Sequence, residues 1–421
     1  MVKKFKLIHL RNCTVLLILC HSHVTHATDI TSDLNYRLSA SNNTLSSETG
    51  TTALLWSKQM SGAISDLSIS KNGKAIVVAT SPDSDIEGSA KHYLLSSYSS
   101  TGKLNWQLKQ SSPVKEVAVS QDASFVVVSN YENQLFALNA DGKTLWSVEG
   151  MCRPIISNSN KKIICYHDDD NDPKVAFDLY DWKGKKISSY GITKDVLALK
   201  LSADEKHLVL AQADGGVVFF SSDFIPLWHK TVSGEIVDIA VSSGPTPIVA
   251  VLYRNKSKPK LEHVAILNSL GSTQAQPRLD LKGKPKSEPA KLLSPSVSCN
   301  QIELSAGGTT LFYYGNSPSG QFLGSLSVLS SKELWKRGGS MPTEYNSSIH
   351  VGSTQVFMGF QENAAGERRS HVLSFNYEGE IKADIRLSLE QSAYLYSFKV
   401  APEGDLLAVG TDDGKISVYR Y

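Results

Sequence analysis

The 421-residue chain is poor in cysteine: it has 5, no two adjacent, and none in a Cys-x-x-Cys or cysteine–histidine spacing that would hold a metal. It also lacks an excess of one charge. With a formal net charge of +2, nothing in its balance calls for a nucleic-acid partner. Beyond the N-terminus no run of 18 or more apolar residues occurs, so no later segment is expected to span a bilayer as a helix. No stretch carries the apolar stripe of a helix of normal length. Gly-x-Ser-x-Gly, His-Glu-x-x-His and Walker-type loops are missing, and the 11 histidines form no metal-ligand spacing with one another.

What is present begins with a leader. Lys3, Lys4, Lys6 and Arg11 form a basic region, and residues 14–20 (TVLLILC) form an apolar stretch too short to cross a bilayer. Thr25-His26-Ala27 supplies small residues for cleavage before Thr28, so residues 1–27 are expected to be a signal peptide. A competing reading makes Leu17-Ile18-Leu19-Cys20 a lipobox with Cys20 acylated, but Leu19 is large where a small residue is wanted. The protein is therefore expected in the periplasm or outside the cell, touching a membrane only if Cys20 is lipidated. Residues 28–51, rich in Ser, Thr and Asn, read as a flexible tether. Cys152 and Cys165 flank an Asn158-Ser159-Asn160 turn; a cross-strand disulfide and two buried thiols both fit that spacing.

From residue 52 onward the chain repeats. Five of its 6 tryptophans close the same phrase, at Leu55-Trp56, Asn105-Trp106, Leu145-Trp146, Leu227-Trp228 and Leu334-Trp335. Each unit opens with an alternating strand that ends in a small residue, such as Asp66-Leu67-Ser68-Ile69-Ser70 or Asp238-Ile239-Ala240-Val241-Ser242. A turn, a strongly apolar strand, a loop, a third strand, a Gly-containing turn and a fourth strand follow. A period of roughly 40–50 residues indicates a propeller. Eight units are counted, with fourth strands near Trp106, Trp146, Ile187, Trp228, Leu279, Trp335, Ile385 and, for the last unit, Trp56 at the other end of the chain. The expected fold is all-β: an eight-bladed β-propeller over 52–421, closed by an N-terminal strand that completes the last blade and protects the sheet edges. Trp182 is expected to make up for the tryptophan missing from the third blade.

The stretch Leu138-Asn139-Ala140-Asp141-Gly142-Lys143-Thr144-Leu145-Trp146 resembles the repeat of pyrroloquinoline-quinone-type (PQQ-like) propellers, and the Ser-x-Asp/Asn-Gly turns are similar to WD40-like units. The resemblance runs over nearly all of 52–421. It implies either a quinone-dependent dehydrogenase or a non-catalytic periplasmic propeller, the latter including the lipoprotein scaffold of outer-membrane barrel assembly. The quinoproteins carry an adjacent cysteine pair that this chain lacks, and they use more chain to surround their cofactor. No enzyme activity and no cofactor is therefore expected, and a quinone- or calcium-dependent oxidoreductase is the disfavoured alternative.

Two acidic segments, Asp83-Ser84-Asp85-Ile86-Glu87-Gly88 and Asp168-Asp169-Asp170-Asn171-Asp172, start like calcium loops. Leucines (Leu94 and Leu179) stand where the bidentate Glu belongs, so both read as solvated acidic turns. The loops between second and third strands share one propeller face. In units one and three they are acidic (Asp83, Asp85, Glu87; Asp168, Asp170, Asp172). In units five and seven they are expected to be long and basic (Arg254, Lys256; Arg368, Arg369). A ring of eight sets those pairs opposite one another, so these residues are the candidate surface for a protein partner of matching polarity. A monomer is expected. Residues 282–297 read as a surface insertion.

Overall fold

The computed structural model describes residues 52–421 apart from 83–91, 158, 160, 168–174, 193, 256–257, 276–297, 318–319, 339–347, 365–366, 388–394, 402 and 404. The leader, the tether, Cys20, the acidic segments and Leu279 lie outside the described residues. Among the described residues there are strands and turns but no helix.

Strand β1 (Ala53–Gln59) comes first. Blade 1 follows as β2 (Ala63–Ile69), β3 (Ile76–Ser81), β4 (Tyr93–Tyr98) and β5 (Leu104–Gln110). Blade 2 is β6 (Val114–Val119), β7 (Phe125–Asn130), β8 (Gln134–Asn139) and β9 (Thr144–Glu149); blade 3 is β10 (Arg153–Ser157), β11 (Lys162–Tyr166), β12 (Val175–Asp181) and β13 (Lys186–Gly191). Blade 4 is β14 (Val196–Leu201), β15 (Leu208–Gln212), β16 (Gly216–Phe220) and β17 (Pro226–Thr231); blade 5 is β18 (Gly234–Val241), β19 (Val249–Asn255), β20 (Lys258–Leu267) and β21 (Thr273–Ala275). Blade 6 is β22 (Ser298–Leu304), β23 (Thr310–Ser317), β24 (Gly320–Ser327) and β25 (Glu333–Gly338); blade 7 is β26 (Ser348–Val351), β27 (Gln355–Ala364), β28 (Glu367–Asn376) and β29 (Ile381–Leu387). Blade 8 joins β30 (Leu395–Ala401), β31 (Leu406–Thr411) and β32 (Lys415–Arg420) to β1, in the order β1-β32-β31-β30. The expected eight blades and their closure by the N-terminal strand are thus observed, with Ala53 paired to Arg420 and Gln59 to Lys415.

The first strand of most blades packs on the first strand of the next, so these strands ring the centre and the fourth strands lie outside. The core is divided. Eight apolar clusters each fill one seam between adjacent blades. This follows from sequence: second and third strands such as Ile76–Ser81 and Gly216–Phe220 are buried on both faces, as blades sandwiched between blades must be.

The tryptophans explain the repeat. In blades 8, 1, 2, 4 and 6 the outer-strand tryptophan lies on the next blade's turn between third and fourth strands. Its indole N–H donates to a carbonyl there: Trp56 to Ser100 at 3.0 Å, Trp106 to Ala140 at 2.9 Å, Trp146 to Trp182 at 2.8 Å, Trp228 to Ser269 at 3.0 Å and Trp335 to Tyr377 at 2.8 Å. Two residues past each acceptor stands a glycine at positive φ (Gly102, Gly142, Gly184, Gly271, Gly379), where an added Cβ would fall 2.5–3.0 Å from its nearest neighbour and against the indole. Glycine serves twice, supplying the left-handed turn and admitting the ring.

The ladder corrects the three positions where tryptophan is missing. Every outer strand has a bulge just before the tryptophan site, so that site is Ser188, Ala275 and Ala383 rather than Ile187, Leu279 and Ile385. Ile187 is itself the exposed bulge residue, as Leu145 is in blade 2. Trp182 does not stand in for the lost ring. It stacks on Phe125 of blade 2, with centroids 5.0 Å apart, in the seam before its own blade. At the seam after blade 3, the bulk has moved to the partner turn: Phe224 holds the positive-φ position and is buried against Phe177, Tyr190 and Phe220. At the seam after blade 7, Tyr419 and Tyr421 pack beside Ala383.

Cys152 and Cys165 form a disulfide, with Cα atoms 5.3 Å apart. Cys299 takes part in no disulfide and is buried, its Sγ donating to the Tyr314 carbonyl at 3.3 Å.

Candidate functional site

The upper face carries the loops between second and third strands; the lower face carries the turns between first and second strands. Of the residues proposed from sequence to meet a partner, Asp83, Asp85, Glu87, Asp168, Asp170, Asp172 and Lys256 lie outside the described residues. The three others sit in ladders rather than in long loops. Arg254 pairs with Glu235 and Glu262 across β18 and β20, and donates to Ser298 Oγ of blade 6 at 3.2 Å. Arg368 and Arg369 pair with Asn363 and Glu362 in a hairpin whose strands are ten residues long. Blades 5, 6 and 7 all extend this hairpin to a two-residue connection, with closing pairs Asn255–Lys258, Ser317–Gly320 and Ala364–Glu367. In blade 7, residues 361–364 rise past the level where β15 ends in blade 4. At roughly 3.4 Å per residue that is about 14 Å of added hairpin. The basic residues therefore stand on stiff paired backbone.

The second candidate is the central channel. Among the described residues, six first strands contain a bulge at the same place, and in several of them the side chain after it reaches the next blade. Asp66 accepts from the Val117 amide at 2.7 Å, and Asp238 from the Ile302 amide at 3.0 Å. Gln301 exchanges two hydrogen bonds with the Ile349 backbone, at 3.2 and 3.0 Å. Glu116 pairs with Arg153 at 3.2 Å. These side chains tie blade 1 to 2, 2 to 3, 5 to 6 and 6 to 7. A second tier crosses the channel: Lys200 of blade 4 reaches Glu303 of blade 6 at 3.0 Å, with His350 and Lys399 nearby.

Burial sets the electrostatics here. It pushes Asp238 up to about 6, against the pull of Lys200 and the Ile302 amide. It also pushes Asp66 above the usual carboxylate range, with Lys399 opposing. The Glu303 carboxylate holds Lys200 above the usual lysine range. His350 is driven down to about 3, first by desolvation and then by Lys399 and Lys200, and so stays neutral at physiological pH. Lys200 nevertheless keeps 32% of its side-chain surface open. Below it the turns lace together. Asn72 donates to the Gln121 carbonyl, Ser243 to that of Ala306, and Glu403 to that of Lys71, whose ammonium meets Glu403 at 3.3 Å and the Ala203 carbonyl at 3.3 Å. Sequence analysis passed over this channel set, although its signal was available: Asp66, Glu116, Arg153, Asp238 and Gln301 each stand four residues before the small turn residue Ser70, Ser120, Ser157, Ser242 or Ser305.

Comparison with known proteins agrees with this geometry. A family model described as outer membrane protein assembly factor BamB matches residues 41–169. The structure of BamB from Moraxella catarrhalis is similar over 88% of this chain and 100% of that one, at 15% identity and a TM-score of 0.56. Sqt1 from Saccharomyces cerevisiae is similar over 86% of this chain and 96% of that one, at 12% identity and a TM-score of 0.59. No curated protein matches the chain by sequence. Blade count and these likenesses together make the chain an eight-bladed β-propeller, similar in its repeat phrase to PQQ-like and WD40-like propellers.

Proposed function

We propose that this chain is an exported, non-catalytic propeller that works as a scaffold for protein–protein contacts, released by cleavage after Ala27 and held to no membrane. One observation carries the reading. The deep carboxylates Asp66 and Asp238 are committed to backbone amides of neighbouring blades, which makes the channel's acidic groups part of the ring's construction. The candidate partner surface is then the upper face: blades 5 and 7 bear Arg254, Arg368 and Arg369 on paired backbone, and the sequence puts acidic residues between the second and third strands of blades 1 and 3. A face with opposed charged sides selects a partner by complementary polarity and speeds its capture. The disulfide supports an oxidising compartment. The match to an outer membrane protein assembly factor favours a second form of the same reading, in which the scaffold is anchored through Cys20 and serves outer-membrane protein assembly.

Affinity capture from native cells tests the proposal, with wild type beside Arg368→Glu/Arg369→Glu at low and high salt. Reproducible capture of an envelope or secreted protein, weakened by the reversal and by salt, supports it. Unchanged capture at low salt removes the charged face, and a bound quinone or metal in the intact mass returns the oxidoreductase reading. The same mass separates a chain starting at Thr28 from one acylated at Cys20.

A further inference from the structure

The lower face is not uniform. It carries the turns between third and fourth strands as well as those between first and second. On most blades these turns bear charge, as at Asp122 and Asp141 of blade 2, Lys161 and Lys183 of blade 3 and Glu378 of blade 7. Both turns of blade 5 (243–248 and 268–272) and the first turn of blade 6 (305–309) bear none. The same rim holds the most exposed large apolar side chains among the described residues, Leu329 of blade 6 at 95% and Leu270 of blade 5 at 79%. Ile225 and Leu227 of blade 4 and Leu334 of blade 6 are each more than half exposed. Hydrogen bonds join these turns into one surface. Trp228 of blade 4 donates to the Ser269 carbonyl, the Ser243 amide to that of Ala306 at 2.8 Å, and the Val328 amide to that of Thr309 at 2.9 Å. Nothing lies within 4 Å of a Cβ added at Gly244 or Gly307, so the surface is open at both. A lone exposed leucine is ordinary, but five apolar side chains on three consecutive blades, with uncharged turns among them, form a contact surface.

Its chemistry selects an anionic lipid surface. Leu270 and Leu329 stand proud on turns, the shape that enters a bilayer boundary rather than one that takes in a partner's side chain. Each has a lysine at hand. The Lys230 Cε lies 3.0 Å from where a Cβ on Gly271 would stand, next to Leu270, and Lys332 closes the turn that bears Leu329. Both lysines are exposed, and among the described residues neither makes an ion pair. The acids at the margin are occupied: the Tyr313 hydroxyl donates to Glu333 at 2.6 Å, Lys162 pairs with Asp223 at 3.2 Å, and the Gly244 amide donates to Asp204 at 3.0 Å. Lysine stems can lie along apolar surface while their ammonium groups reach lipid phosphate. The chain also approaches from this side. Ala53, the first residue of β1, pairs with Arg420, and the Tyr421 amide donates to the Asp405 carbonyl of a lower turn at 3.1 Å, so the residues before β1 join the propeller at its lower rim. We propose that the lower face of blades 4 to 6 docks reversibly on anionic lipid, with Leu270 and Leu329 entering the headgroup boundary and Lys230 and Lys332 meeting phosphate. The contact needs no acyl chain and leaves the protein unanchored. It turns Arg254, Arg368 and Arg369 away from the lipid, and it stands whatever partner the upper face captures.

Vesicle flotation tests it, with the exported chain that begins at Thr28 and whose mass shows that no acyl chain contributes. The wild type is expected to float with vesicles of phosphatidylglycerol and phosphatidylcholine in equal parts, less so as salt rises, and to stay off vesicles of phosphatidylcholine alone. Leu270→Ser/Leu329→Ser should lower the partition coefficient by about tenfold or more. Lys230→Glu/Lys332→Glu should lower it at low salt by about tenfold or more. Tyr131→Ser, a control on the upper face at an exposed aromatic, should leave it unchanged. All the replaced side chains are exposed, and unchanged melting temperatures check that the fold is kept. An environment-sensitive fluorophore on Leu329→Cys should shift to the blue with the anionic vesicles, and one on Tyr131→Cys should not, which reads the docked face with both lysines in place. A wild type that stays off the anionic vesicles, or a leucine pair that floats as the wild type does, overturns the proposal. So does a leucine pair that alters only the sedimentation mass or the capture of a protein, because the surface then belongs to a second copy or to a protein partner. Capture by the upper face is read through Arg368 and Arg369, so either idea can fail alone.

Discussion

Replacing Gly142 by alanine separates the two duties assigned to the turn glycines. Its φ is +78°, and the new Cβ would lie 2.7 Å from Trp106 Cγ and 2.8 Å from Cδ2, atoms of a ring packed in seam 1–2. The left-handed conformation costs an alanine about 1–2 kcal/mol. Forcing a methyl into a packed seam costs about 1–3 kcal/mol more. The expected loss is about 2–5 kcal/mol of unfolding free energy. Gly244 supplies the control: its φ is +98°, yet nothing lies within 4 Å of an added Cβ, so Gly244→Ala should lose only the backbone part. Urea denaturation of both variants gives the difference, and Trp106→Ala closes a double-mutant cycle. In a Trp106→Ala background the Gly142→Ala change should cost no more than Gly244→Ala does. If Gly142→Ala is as mild as Gly244→Ala in the wild-type background, or if removing the indole leaves its effect unchanged, the latch does not govern that seam.

Other outcomes follow from the same structure. Deleting residues 52–60 removes β1 and with it the burial of Trp56; loss of a tryptophan side chain alone typically costs about 3–5 kcal/mol, so the last blade should unzip in thermal melts, whereas deleting 28–50 should leave the melting temperature unchanged. Asp238 has its folded value raised to about 6 against an ordinary 3.8. The fold therefore favours the protonated acid, and this group's contribution to stability is largest near pH 4 and falls as pH rises to about 6, by roughly 3 kcal/mol. Asp238→Asn should flatten that slope in urea titrations at stepped pH. His350 acts in the opposite sense, because its depressed value makes the fold prefer neutral imidazole: its contribution is complete above about 6.5 and is lost as pH falls toward 3, which His350→Gln should abolish. Reducing the Cys152–Cys165 bridge opens a loop with a sequence separation of 13 and should lower unfolding free energy by about 3 kcal/mol, read as a dithiothreitol-dependent drop in the urea midpoint; an unchanged midpoint contradicts it.

Sequence pattern carried the architecture because each blade repeats a few physical requirements at fixed offsets. The Gly142-to-Trp146 spacing is one: the glycine receives one blade's indole, and the tryptophan four residues on latches the next. The register of the damaged repeats was less legible. Ile187 and Ile385 look like the lost tryptophan because they are the large apolar residues nearby, but the ladder puts the site one residue after Ile187, itself the bulge residue, and two residues before Ile385. Phe224 in a turn glycine's place gave no cue either, since a bulky residue at positive φ runs against local propensity and is tolerated for the cavity it fills. The basic segments of blades 5 and 7 looked like loops because polar residues dominate them, and their extension as hairpins comes from backbone pairing that composition does not report.

Ring closure sets the order in which this molecule can be made. The strand that completes blade 8 is the first of the propeller to leave the ribosome, and its partners are the last; Ser57 meets Ser417 across 360 residues. Blades 1 to 7 each form from contiguous chain and can assemble as they appear, but β1 has nowhere to go until residues 415–420 arrive. Until then it is an unpaired edge strand bearing an unburied tryptophan, the species most exposed to mispairing with another copy. A chain threaded through a membrane N-terminus first would present that strand to the far side throughout transit, so escort of residues 53–59 is the step at which production of this protein is most vulnerable.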